Sequence, residues 1–251
     1  MTPYSTPFRY SDVPLFQMAN AMTSTGYHGA MATDSNNTSA PGLAERRPVD
    51  EHVNLITHAL GFLLSVPASA VLMTLVANDH RSIDVVACGV YCCSLMGLYA
   101  ASTLSHMFYD LAWRRFFRTV DQACIYLLIA GSFTPLAVVF LWDRWWPALL
   151  AVMWVLALFG VLLVLRMRDL TPTARISYGI LGWLPIISLK TLFEAAPFEI
   201  FAWIVASGLF YSVGSVFLRF DQHVRYLHAL WHTFVIAGST CHYIAVLLVV
   251  M

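Results

Sequence analysis

Residues 228–251 read HALWHTFVIAGSTCHYIAVLLVVM, 24 residues without one Asp, Glu, Lys or Arg. An α-helix needs about 20 such residues to cross the hydrocarbon core of a bilayer. The run opens with two histidines four apart, His228 and His232. That spacing puts both imidazoles on one helical face, about 6 Å apart along the axis. Ionisable groups at membrane depth are costly, so a lipid-crossing helix that begins with two of them points to a function at that end.

Apolar runs recur outward from this one, at about 53–76, 84–107, 122–141, 146–166, 174–193, 198–218 and 228–250. They predict an all-α polytopic membrane protein, a seven-transmembrane helix bundle, over residues 46–251. The composition agrees, with 59% hydrophobic and 11% charged residues against roughly 25% charged in soluble domains. A net charge of zero excludes an electrostatic case for nucleic acid as a partner. Pro67, Pro135 and Pro185 fall inside spans, where membrane helices tolerate proline. Trp142, Trp145 and Trp146 flank the break between spans three and four as an interfacial belt. The five cysteines lie in apolar runs without zinc-ribbon or redox spacing and read as packing residues. Residues 1–45 are polar, rich in small residues and aperiodic, which predicts a disordered tail. The tail lacks the basic start and continuous apolar core of a signal peptide.

Lysine and arginine set the expected orientation. One side of the bundle carries Arg46, Arg47, Arg114, Arg115, Arg118, Arg166, Arg168, Arg175, Arg219 and Arg225; the other carries Arg81, Arg144 and Lys190. Positive residues stay on the cytoplasmic side. The N-terminus is therefore expected inside and the C-terminus outside.

The polar residues within spans gather at the helix ends expected on the cytoplasmic side. Glu51, Asn54 and His58 share one face of the first span in EHVNLITH,. Ser102 and His106 end the second in STLSH, Asp121 opens the third, and His228 and His232 open the seventh. Three histidines, His106, His228 and His232, form a candidate zinc site. Catalytic zinc usually takes three protein ligands and a water, and an i, i+4 pair supplies two from one rigid face. His58 competes as third ligand, or else hydrogen-bonds to the cluster. Asp121 is placed to orient the bound water or a ligand histidine. His242 lies about 21 Å deeper than His228, outside the same coordination shell, and is expected in a helix–helix hydrogen bond.

Taken together, ExxNxxxH, SxxxH with a downstream Asp, and HxxxH resemble the hemolysin III proteins and their relatives, the progestin and adipoQ receptors. DQACIYLLIAGSFTPLAV looks like that family's third span and HALWHTFVIAGSTCHY like its seventh. The resemblance implies seven helices enclosing an intramembrane zinc near the cytoplasmic face. It implies His106, His228 and His232 as ligands, with Asp121 touching the metal through water. The similar adiponectin receptors and alkaline ceramidases imply hydrolysis of a lipid amide. The bacterial branch implies the bacterial inner membrane as location.

Two function classes follow. The first is a zinc-dependent hydrolase of lipid amides or esters, with zinc-activated water, Asp121 as proton acceptor and Ser102 as hydrogen-bond donor to the water or the developing oxyanion. Glu51, Asn54 and His58 would then position the cluster or bind the substrate, and a membrane lipid is the expected substrate or ligand. The second is a non-enzymatic pore-forming cytolysin or regulator of membrane homeostasis with zinc as a structural staple. Structural zinc normally takes four protein ligands, and three clear ones favour the hydrolase. Transport would require polar residues along a whole pathway, whereas these cluster near one face.

Overall fold

The computed structural model describes residues 48–142, 146–167, 172–221 and 224–251. The expected tail, residues 1–45, lies outside the described residues, as does Trp145. Among the described residues the elements are helical, without strands: α1 (Pro48–Asp79), α2 (Ser82–Met107), α3 (Leu111–Phe140), α4 (Trp146–Met167), α5 (Pro172–Trp183), a 3-10 segment (Leu184–Ser188), α6 (Leu189–Ala195), α7 (Phe198–Phe220) and α8 (Leu227–Val250). They supply seven segments long and apolar enough to cross a membrane, the fifth running from Ile176 to Ala195 across the 3-10 segment. The chain is an all-α integral membrane protein with seven spans.

Two departures from the expected boundaries have local causes. The 14-residue connection expected over Phe108–Asp121 is only three residues long, Phe108–Asp110, because α3 begins at Leu111. Asp110 caps it, its carboxylate accepting from the backbone N–H groups of Ala112 and Trp113 at 3.0 Å each,. Arg114, Arg115 and Arg118 had hidden this turn from a hydropathy reading. Its aromatic side is held by Phe117, stacked on Phe108 at 5.2 Å and on Trp113 at 6.0 Å. The fifth span is not one continuous α-helix. Pro185 has no N–H for the helical ladder, and the backbone tightens into the 3-10 segment there,.

Successive spans pack side by side, and α8 returns to α1 and so closes the ring. The central element is α3, which touches α2, α4, α5 and α8. Between helices the spans are tied by side-chain hydrogen bonds of the kind that hold helices together in lipid. Tyr126 and Ser177 share one at 2.6 Å, the Tyr178 hydroxyl donates to the Gln122 carbonyl at 3.0 Å, and Tyr243 donates to the Ala68 carbonyl at 2.9 Å. Gly160 on α4 lies flat against the buried Tyr126 ring, where a Cβ would strike the aromatic carbons. That close approach lets α4 pack directly on the Tyr126 ring,.

Candidate metal centre

The centre lies at the end of the bundle where α1 begins. There α2 ends, α8 starts, and α3 has run ten residues to Asp121. The start of α1 faces the end of α2, so Glu51, Asn54 and His58 on its inner side are all buried.

One ring nitrogen from each of His106, His228 and His232 lies within 4.8 Å of the other two. The ring centroids are 5.3 Å apart for His106 and His228, 5.2 Å for His106 and His232, and 4.5 Å for His228 and His232. The helical spacing brings the last pair together, while the first two contacts join α2 to α8.

Each of these rings has a partner at Nδ1. His106 Nδ1 lies 2.7 Å from Glu51 Oε2. Glu51 is in turn held by Arg114, with Arg118 at 3.8 Å. His228 Nδ1 lies 2.9 Å from Asp221 Oδ2. His232 Nδ1 lies 3.2 Å from the Thr57 hydroxyl, whose own proton is directed to the Asn54 carbonyl at 2.8 Å. A carboxylate and a committed hydroxyl can only accept, so Nδ1–H donates in all three rings. In a neutral imidazole Nε2 then carries the lone pair. His106 Nε2 is buried without any hydrogen-bond partner. Buried polar atoms are rarely left so, and three convergent imidazole nitrogens suit a divalent transition metal. The residues present fit a metal.

His58 behaves differently from either expectation. It is outside the three-histidine group, and neither of its buried ring nitrogens has a hydrogen-bond partner. It stacks on His232 at 3.6 Å and meets Tyr99 edge-on at 5.3 Å. The deeper His242 lies about 21 Å further along α8 and bridges helices, its Nε2–H donating to the Ser132 carbonyl at 2.8 Å.

A cavity of about 680 Å³ opens from this cluster into the bundle. His58, Ser102, His106, Asp121, His228 and His232 form its polar end, and Leu136, Leu192 and Ile204 line it further in. The 15 residues from Asp121 to Leu136 on α3 correspond to about 22 Å of depth. Asp121 lines this cavity beside Ser102, whose hydroxyl is buried. Gly179, Gly182 and Gly208 also line it, and a Cβ at any of them would meet nothing within 4 Å. They leave the cavity wall bare rather than permit a helix contact. Glu51 and Asn54 do not line the cavity; they face the histidines from behind.

Sequence reading missed Asp221 and Thr57. Asp221 ends α7 and reads as an ordinary interfacial acid, since nothing in its spacing ties it to His228 until the turn between α7 and α8 is known. Thr57 could have been found, because it lies three residues after Asn54 on the face that carries His58.

A model of haemolysin-III related proteins matches residues 47–243. Hemolysin-3 of Bacillus cereus is 35% identical over 203 residues, covering 80% of this chain and 92% of that protein. The Hemolysin-3 homolog of Bacillus subtilis (strain 168) is 33% identical over 199 residues, covering 79% and 93%. A more distant relative, the human Monocyte to macrophage differentiation factor, is 25% identical over 227 residues, covering 84% and 89%. No solved structure matches the chain. With the family model reaching from the start of the first helix into the last and two Bacillus relatives aligned over nearly their full length, the chain belongs to the haemolysin-III related family of membrane proteins.

Proposed function

We propose that this protein is a zinc-dependent hydrolase of membrane-lipid amide or ester bonds. The observation that carries the reading is the long apolar cavity ending on three convergent histidines, with Asp121 and Ser102 on the same wall. A cavity of this size is in the range of small-molecule sites, and its apolar depth suits an acyl chain with the scissile carbonyl at the polar end. His106, His228 and His232 would hold the metal. Bound zinc supplies Lewis acidity toward a carbonyl and lowers the pKa of a coordinated water. Asp121, which lines the cavity together with a second carboxylate, Asp221, would take the proton from the attacking water on a carboxylate oxygen. The Ser102 hydroxyl, beside Asp121, would donate a hydrogen bond to the oxyanion,. His58 lines the same end of the cavity and is a candidate for the polar head of the substrate.

The test is fatty acid released from a panel of long-chain N-acyl lipids and lysophospholipid esters. Zinc-replete protein should release it, and chelator-stripped protein should not. Release by neither would favour the second reading, a non-enzymatic cytolysin or membrane-homeostasis protein with structural zinc, to which the Hemolysin-3 names of the Bacillus relatives lend support.

We further propose that the chain resides in a bacterial inner membrane with the metal site near the cytoplasmic face. The ten-to-three bias of Lys and Arg between the two sides supports this orientation,. In a background without native cysteines, Arg115→Cys should be shielded from an impermeant thiol reagent in intact cells and Trp142→Cys labelled. The opposite pattern would move the site to the outer face.

A further inference from the structure

We infer that Asp221, at the end of α7, is a positioning residue that fixes His228 as a metal ligand. The inference rests on the proposal that the three histidines bind zinc.

His228 is the least enclosed of the three, with 23% of its side chain exposed. It sits in the first turn of α8, two residues after Tyr226, which adopts a left-handed backbone at φ 62°. A bulky residue in that region is strained. Asp221 constrains the His228 ring. Its carboxylate is only 4% exposed and lies 2.9 Å from His228 Nδ1.

A role in fold stability alone would not place an acid there. Asp221 stands at the C-terminal end of α7, where the helix dipole disfavours negative charge. Burial of a carboxylate adds a desolvation cost. Its position is explained by the imidazole it holds. A carboxylate on Nδ1–H fixes the tautomer, aims Nε2 inward and raises the basicity of that nitrogen. His106 receives the same treatment from Glu51, which Arg114 and Arg118 hold in turn.

The experiment uses the full-length protein in detergent, stripped of metal and titrated with zinc against a chromophoric chelator. Asp221→Ala should bind zinc about 10–100-fold more weakly than wild type. Asp221→Asn keeps the shape and an acceptor for Nδ1–H but not the charge and should recover part of that loss, whereas Asp221→Leu, which fills similar volume without an acceptor, should recover none, an outcome that a packing role would not produce. The melting temperature of the metal-free protein should change little in these variants, while the zinc-induced rise should shrink in proportion to the lost affinity. Should Asp221→Ala fail to fold, Asp221→Asn carries the test, and wild-type affinity in it would overturn the inference. Unchanged zinc affinity in a folded Asp221→Ala would likewise overturn the role of Asp221 and leave the metal site standing. A wild-type protein that takes up no zinc would instead overturn the metal site itself.

Discussion

The purified wild-type protein is expected to hold about one zinc per chain, and His106→Ala, His228→Ala and His232→Ala should each fall to background. The three ring nitrogens converge within 4.8 Å from two helices, and each ring is already turned by a partner at Nδ1. With only three donors in the group, losing one leaves a two-ligand site, too few for zinc in either its structural or its catalytic arrangement. Metal analysis after gel filtration in detergent checks this. His58→Ala should keep the metal, since His58 lies outside the group and only stacks on His232. His242→Ala should also keep it, because its bond to the Ser132 carbonyl lies deep in the bundle. Full zinc occupancy in any of the three single variants would show that the ligand set is wrong.

Asp121→Asn should separate binding from chemistry. The substitution retains the shape and hydrogen-bonding edge of the side chain but removes its capacity to take a proton. Asp121 is not in the three-histidine group, so zinc content should stay at the wild-type level. General-base groups contribute about 10²–10⁴-fold to rate, and released fatty acid should drop by that factor against zinc-replete wild type. Equal rates would remove Asp121 from the chemistry. A fall in both zinc and rate would recast it as part of the metal site.

The helices and one end of the site were legible because the physics that selects them is local. Seven apolar runs are read from composition alone, and HxxxH places His228 and His232 together by helical geometry. That His106 joins them follows from counting spans and ends. The extended start of α3 was not legible from hydropathy, because Arg114, Arg115 and Arg118 make it look like a loop. Its capping signal, Asp110 three residues before Trp113, was present but lay outside an apolar run. Asp221 was invisible for a different reason. Its relation to His228 depends on a turn with a left-handed tyrosine, Tyr226, a conformation that no side chain other than glycine, asparagine or aspartate advertises. The break in the fifth span was marked by Pro185, yet whether a membrane helix kinks or merely absorbs a proline is decided by its neighbours. The cavity was the least legible feature, since it is defined by what Gly179, Gly182 and Gly208 fail to fill.

The contact of α8 with α1 and α3 has a consequence for biogenesis. His228 and His232 lie in α8, which leaves the ribosome after the other described helices, whereas Glu51, Thr57 and His106 belong to α1 and α2, which precede it into the bilayer. During synthesis the early helices can form the Glu51–His106 pair on their own, while the contacts of Thr57 and of the His106 ring with His228 and His232 wait for α8. Arg114 and Arg118, which arrive with the third helix, are the first groups able to neutralise Glu51. The centre itself can be completed only when the final helix closes the ring. If the three histidines hold the proposed zinc, its capture would follow insertion, and occupancy of the site would report that α2 and α8 have met.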